Sequence, residues 1–198
     1  MLFIFFLMTA CINNETKKEM TDNPFFSEWT TPHEVPPFDL IKDEHFIPAF
    51  EKAIENQNKE IDAIVSNTEV PSFLNTIVAL DKSGNDLRKV SGVFFNLTEA
   101  NTNDEITKIT GEIAPKLANH NDNILLNANL FKKVKHVADA QKHINVEVEI
   151  GNAQALNQEQ KALLDEIYQG FVRGGSELNE EDQAKLRVIN EKLASLYP

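Results

Sequence analysis

Cysteine, glycine and basic residues are scarce in this chain of 198 residues, and each shortage excludes a class of protein. The single cysteine, Cys11, rules out a disulfide within the chain. Only 7 glycines and few alternating apolar segments argue against an all-β fold. The 19 Lys and Arg residues are outnumbered by 31 Asp and Glu, and a net charge of -12 argues against binding to nucleic acid. What remains is an acidic chain whose 41% of apolar residues can form the core of one domain.

The sequence also lacks the common catalytic and metal-binding motifs. A zinc peptidase helix needs two histidines at positions i and i+4, with a glutamate beside the first, so that all three side chains share a face. No two of the histidines have this spacing, and no Gly-x-Ser-x-Gly nucleophile motif occurs. We therefore assign no catalytic, cofactor-binding or metal-binding residue to this chain. The histidines considered are His33, His45, His120, His136 and His143.

The first eleven residues follow the pattern of a bacterial lipoprotein signal. Leu2 to Met8 are continuously apolar, and the small residues Thr9 and Ala10 lead into Cys11. No Lys or Arg precedes the apolar run, so either the translation start lies upstream or the signal is weak. We predict a signal peptide at residues 1–10, lipidation of Cys11 and a polar tether at residues 11–22. The protein would then be exported and anchored to a membrane, on the periplasmic side or at the cell surface.

A proline-rich segment with large apolar side chains follows the tether. Residues 23–39 contain four of the eight prolines, which disfavour helix and favour extended backbone. The same segment carries Phe25, Phe26, Trp29 and Phe38. We therefore predict an extended arm that packs along the body of the domain.

The longest helical pattern in the chain runs from Ser72 to Asn101. Ser72 can cap its start, and an apolar stripe extends from Phe73 to Leu97 with the spacing of one helix face. We interpret Gly84, which lies inside the stripe, as a contact point for a neighbouring element and not as a break. The stripe is long for a small domain to cover, so part of it is expected to stay exposed.

Five other segments have helical period. A first helix is predicted from Asp43, as its cap, to Val65, and Gln57 falls on its apolar face. The last helix is predicted to carry Leu186, Ile189 and Leu193 on its apolar face, and its end at Leu193 is expected to lack a covering neighbour. Residues 145–150 alternate like a strand, but no second strand pairs with them, so we interpret them as a connection. Residues 23–198 are thus predicted to form one all-α domain, an irregular bundle of about six helices with an extended N-terminal arm. The remaining caps and stops are Asn103-Asp104, Asn157 with Gln160, Gly174-Gly175 and Asn179.

Several segments resemble the N-terminal part of the peptidyl-dipeptidase and oligopeptidase family of zinc metallopeptidases, the thimet-oligopeptidase-like enzymes. The match is closest to the bacterial peptidyl-dipeptidase branch and covers roughly Asn23 to Ser195. The segments that carry it are Asn23-Pro24-Phe25 with Trp29, Pro36-Pro37-Phe38-Asp39, Ile41 to Phe50, Phe73 to Leu80, Val93 to Leu97, Ala100 to Asn103, and Tyr168-x-Gly170-Phe171-x-Arg173-x-Gly175.

The resemblance implies a mostly helical fold with a deep channel, a zinc cofactor and the release of C-terminal dipeptides from short peptides. It also implies that the zinc motif of the family lies far beyond the matched region, so no family metal ligand or catalytic residue maps onto this chain. After Leu193-Ala194-Ser195 the family continues its helix, whereas this chain reads Leu196-Tyr197-Pro198. We therefore expect a truncated polypeptide that lacks a C-terminal catalytic domain and is inactive alone.

Two other interpretations remain open. The chain could be a free-standing, lipid-anchored helical module that binds a peptide or protein without catalysis. It could also be an acidic helical scaffold unrelated to peptidases, in which case the segment matches would be coincidental.

Overall fold

A computed structural model describes residues 22–143 and 155–196. These residues form helices and no strand, so the predicted all-α fold is confirmed. The predicted signal peptide, Cys11, the tether up to residue 21 and the strand-like residues 145–150 lie outside the described residues. Six helices are long and one is a short piece, in agreement with the predicted bundle. In chain order they are α1 (Phe46–Ser66), α2 (Ala79–Lys82), α3 (Asn85–Ala100), α4 (Asp104–Leu125), α5 (Ala128–His143), α6 (Gln158–Arg173) and α7 (Glu180–Leu196).

The N-terminal arm packs on the body through its first residues. The buried side chain of Asn23 accepts a hydrogen bond from the Phe25 N–H (3.0 Å) and donates one to the His45 carbonyl (2.9 Å). Phe25 is buried, with its ring centre 5.5 Å from that of Phe46 at the start of α1. Phe38 stays exposed, so the prediction of a packed arm holds for its first half only. Two short 3-10 turns interrupt the arm, Pro24–Phe26 and Pro32–Glu34, and a third, Asp43–His45, leads into α1.

The long helix predicted from Ser72 to Asn101 is in fact broken at Gly84. Ser72 caps its start as predicted, accepting from the Asn75 N–H, and a π-helix at Phe73–Val78 continues directly into α2. The chain then turns through Ser83 and Gly84, whose φ of 72° lies in the left-handed region, before α3 begins. Our interpretation of Gly84 as an unbroken helical position was therefore wrong. A glycine adopts this backbone conformation without the penalty that a Cβ atom brings.

The apolar stripe from Phe73 to Leu97 packs on other helices, but only in part. Ile77, Val90 and Phe94 are buried, whereas Phe73, Leu80, Leu87 and Leu97 are partly buried. Helix α1 is shared between two groups of buried side chains, one at each end. Its first half packs with the arm, α3 and α4, and its second half with the π-helix, α5 and α6. Asp43 is also not the cap we predicted, since its carboxylate instead accepts from the Asn103 side chain (3.1 Å). The largest fully buried side chains are Phe46, Phe50, Phe94, Phe171, Ile77, Ile106, Ile109, Ile113 and Leu130.

Helix α7 packs on α4 in a way that its apolar period did not predict. The predicted cap is present, because Asn179 accepts from the Asp182 N–H (3.0 Å). Toward α4, however, α7 presents Asn190, which donates to Asp122 (2.7 Å), and Arg187, which donates to Asn123 (2.9 Å). Ile189 and Leu193, which belong to the predicted apolar face, are 53% and 49% exposed, as expected for a helix end that lacks a covering neighbour. Polar contacts therefore hold this helix, and part of its apolar surface faces outward.

Candidate functional site

The histidines do not come together into a metal site. His33 lies in the arm, His45 in the turn before α1, His120 on α4 and His136 on α5. Within residues 22–143 and 155–196, no group of three or more His, Cys, Asp or Glu side chains could hold a metal ion. A catalytic zinc needs about three protein ligands and an open position for water. The described residues therefore do not fit the zinc that the family resemblance implies.

A surface groove of about 670 Å³ lies between the arm, α1 and α3. Its floor includes the buried alanines Ala49 and Ala53, one helical turn apart on α1, and Val90 of α3. The short alanine side chains leave space between the arm and the helix, and Phe26 of the arm lines one wall. The volume is within the range of small-ligand sites. The groove could therefore accept an apolar group.

Lysine and glutamate side chains at the groove make specific contacts. The Lys89 ammonium lies 4.1 Å from the centre of the Trp29 ring and donates to the Ser27 carbonyl (3.0 Å), which ties α3 to the arm. Burial lowers the pKa of Lys89 below its usual value. On α1, hydrogen bonds from Lys59 and Lys52 lower the pKa of Glu55 to about 2. The carboxylate of Glu55 is solvent-exposed, so these ion pairs contribute little to stability.

A polar cluster, in which Ser83 and His120 are buried, lies further along α1, at the break between α2 and α3. His120 Nε2 is 2.8 Å from Gln57 Oε1, and Gln57 Nε2 lies 3.4 Å from Ser83 Oγ. The Gly84 N–H next to it donates to Glu60 (2.7 Å). The cluster joins three elements, because Gln57 and Glu60 are on α1 and His120 is on α4.

The roles of Gln57 and Lys89 were not predicted from the sequence. Gln57 is a polar residue on the apolar face of α1, and that mismatch is the signal that could have identified it. Lys89 gave no comparable signal, because a lysine on a helix is ordinarily a solvated surface residue.

Most residues that carry the family resemblance are packing residues. Asn23, Phe46 and Phe94 are buried in the group of side chains shared by the arm, α1 and α3, and Phe171 is buried on α6. Gly175 has φ 94°, and a Cβ atom there would lie 2.6 Å from Leu186 Cδ2. These buried motif residues therefore help to specify the fold of the matched region.

Known proteins with similar sequences identify the class of protein to which this chain is related. No protein-family model matches the chain. Individual relatives nevertheless match over most of its length, and they are peptidases. The predicted resemblance to the peptidyl-dipeptidase and oligopeptidase family is confirmed, because homologues at 37–38% identity over about 89% of the chain are dipeptidyl carboxypeptidases.

The particular relatives are bacterial. The dipeptidyl carboxypeptidase of Salmonella typhimurium (strain LT2) is 38% identical over 177 residues, which is 89% of this chain and 25% of that protein. The dipeptidyl carboxypeptidase of Escherichia coli K12 is 37% identical over 176 residues, 89% of this chain and 24% of that protein. Oligopeptidase A of Escherichia coli K12 is 22% identical over 166 residues. The chain thus spans about a quarter of the length of these curated relatives.

None of the described helices combines the length and the apolar composition needed to cross a bilayer.

Proposed function

We propose that this chain forms a non-catalytic, channel-wall part of a peptidyl-dipeptidase of the zinc metallopeptidase class. The observation that supports this function is the 38% identity to a dipeptidyl carboxypeptidase across 89% of the chain. The all-α fold of the described residues agrees with what the resemblance implies. A wall of packed helices would limit access to short peptides, because a folded protein could not enter a narrow channel.

The chemistry would come from elsewhere in such an enzyme. Peptide hydrolysis by this class needs a metal to polarise the carbonyl and activate water, together with a general base. The described residues of this chain offer no set of ligands for that metal. Within the enzyme, the present chain would orient and confine the peptide, and it would be inactive alone.

The location we propose is a membrane surface on the outer side of a bacterial inner membrane or at the cell surface. It follows from the apolar run that ends at Cys11. A single acyl chain binds a membrane only marginally, so stable anchoring would need more than one chain on this cysteine.

A chimaera with the Salmonella enzyme tests the peptidase role. In the chimaera, residues 23–198 of this chain replace the segment of the dipeptidyl carboxypeptidase that they match. Zinc content and the release of a C-terminal dipeptide from a blocked tetrapeptide are measured. Since the two segments share one fold, we expect bound zinc and dipeptide release. A matched control replaces the same segment with an unrelated helical bundle of equal length, and it should release no dipeptide.

The outcome that contradicts the proposal is equally specific. A chimaera that is soluble and holds stoichiometric zinc, yet is as inactive as the control, would show that this chain cannot form the family's channel wall.

A non-catalytic binding module is the second candidate, and the groove beside Phe26 is the observation in its favour. In that case the full chain alone should bind short apolar peptides. Titration with a blocked tripeptide should then change the fluorescence of Trp29, which packs beside the groove. Binding by the isolated chain, combined with an inactive chimaera, would favour this second function.

A further inference from the structure

In the polar cluster at the break between α2 and α3, the hydrogen bonds assign a donor and an acceptor to each contact. Ser83 Oγ donates to the Leu80 carbonyl (2.7 Å), so this hydroxyl is free to accept from Gln57 Nε2. With its nitrogen used in this way, Gln57 presents its oxygen to His120 Nε2, at 2.8 Å. An amide oxygen only accepts, so His120 must carry its proton on Nε2. The donors thus run from His120 through Gln57 to Ser83 and end at a backbone carbonyl.

The other ring nitrogen of His120 has no partner. Nδ1 is buried without a hydrogen bond, and the residue as a whole is 5% exposed. In the neutral tautomer this atom is an acceptor without a donor, which costs little compared with a buried charge. If His120 gains a proton, Nδ1 becomes an N–H without an acceptor on a buried cation. Protonation therefore opposes the packed arrangement both through desolvation and through an unsatisfied donor.

Charged groups around the cluster are engaged in other contacts. No charged neighbour contributes to the pKa of His120, which burial alone lowers below its usual value. Consequently no carboxylate is placed to accept the second proton of the imidazole. On α1, Glu60 accepts from the Gly84 N–H, and on α2 Asp81 and Lys82 are exposed. On α3, Arg88 donates to the carbonyls of Ser83 and Asp81, and Asp86 accepts from Asn56. On α4, Lys116 pairs with Glu51 and Glu112 and Asp122 accepts from Asn190, while Arg187 of α7 donates to Asn123.

We propose that this cluster is an acid-sensitive joint, which holds the turn at Ser83-Gly84 against α1 and α4 and releases it when His120 is protonated. Local opening is expected at this turn, because the helical backbone is interrupted there between α2 and α3. When the joint opens, the side chain of His120 reaches water and the added proton is solvated. Acid would thus loosen the π-helix and α2 locally, while the aromatic groups packed on the first half of α1 stay in place.

Nuclear magnetic resonance of the full chain, with ¹⁵N-labelled histidine, tests the joint directly. Long-range ¹H–¹⁵N correlations at pH 8 should show His120 with its proton on Nε2. Its titration midpoint should lie below about 6.5, the value of an unperturbed histidine. A proton on Nδ1, or a midpoint at or above about 6.5, would overturn the proposal. This measurement uses the wild-type chain and does not depend on any variant folding.

Hydrogen exchange of the Gly84 amide tests the release. After correction for the intrinsic rate, exchange in the wild type should accelerate as pH falls below the titration range of an exposed histidine. The corrected exchange rate can increase by at most about tenfold per pH unit, because opening takes up one proton. His120→Gln keeps an N–H donor for Gln57 but does not titrate, so its corrected exchange should not depend on pH. His136→Gln is the matched control and should behave as the wild type.

Two results would refute the release. One is a corrected exchange rate in the wild type that is the same at pH 8 and pH 5.5. The other is an identical pH dependence in His120→Gln and in the wild type.

Discussion

A Cβ atom on Gly84 would lie 2.4 Å from Nε2 of Gln57, closer than two such atoms can approach. Gly84 is therefore both a break and a contact point: its φ of 72° turns the chain, and its missing side chain makes room for Gln57. The position therefore favours glycine for two independent reasons.

Substitution Gly84→Ala should therefore destabilise the chain. Left-handed backbone costs a residue with a Cβ atom about 1–2 kcal/mol, and displacement of the Gln57 amide adds to this cost. Urea unfolding followed by circular dichroism measures the change. Gly92→Ala is the matched control: Gly92 is an interior residue of α3 with nothing near its missing Cβ. Alanine there should stabilise by about 0.5–1 kcal/mol. Equal effects of the two substitutions would contradict the role of Gly84.

The break at Gly84 also shows what the sequence could predict. Caps at Ser72, Asn103 and Asn157 were predictable because a cap is made between residues a few positions apart. The decisive neighbour of Gly84 is on a different helix, and no local pattern identifies it. The polar contacts of α7 with α4 were missed for a similar reason. A helical period tells which residues share a face, but not which face the rest of the chain covers.

The candidate site was less predictable than the fold. The family was recognised because its motif residues are packing residues whose spacing survives in the sequence. The joint of Gln57, Ser83 and His120 depends on three segments that meet only in the folded chain. The same holds for Lys89 and Trp29, on α3 and the arm.

Substitution Lys89→Met should loosen the arm. Methionine retains most of the apolar stem but loses the ammonium, which contacts the Trp29 ring and the Ser27 carbonyl. A cation over an aromatic ring contributes about 0.5–2 kcal/mol. Trp29 is the only tryptophan in the chain, so its fluorescence reports on the arm alone. Its emission should shift to longer wavelength in Lys89→Met. Lys108→Met, an exposed position on α4, should leave the emission unchanged, and an unshifted spectrum in both variants would argue against the contact.

The outward surface of α7 should bind apolar dyes. Val188, Ile189, Leu193 and Leu196 are all about half exposed or more on this one helix. Clustered exposed apolar side chains favour dye binding and self-association. The double substitution Ile189→Lys and Leu193→Lys should remove most of the fluorescence of a bound naphthalene-sulfonate dye without loss of helical circular dichroism. Leu74→Lys, at an exposed position outside α7, should have little effect. Dye fluorescence that is the same in all three proteins would place the binding surface elsewhere.

Cys11 should carry the lipid that anchors the chain. Bacteria that express the wild-type chain and are grown with labelled fatty acid should incorporate the label, whereas Cys11→Ser should not. The wild type should fractionate with membranes and the variant should not, because the apolar energy of the acyl chains is lost. Label at equal levels in both proteins would exclude lipidation at this residue.

The pH dependence of stability should show separate contributions from His120 and Glu55. Burial lowers the pKa of His120 in the folded chain, so the stability from its neutral form is present above the unfolded value of about 6.5 and decreases as pH falls below it. Glu55 titrates lower. Its pKa of about 2 means that its contribution is present above 4.5 and is lost as pH falls toward 2, and solvent exposure keeps it small. The urea midpoint should therefore fall between pH 7 and pH 5 in the wild type and in Glu55→Gln, but less in His120→Gln. A decrease in His120→Gln as large as in the wild type would show that another group titrates in this range.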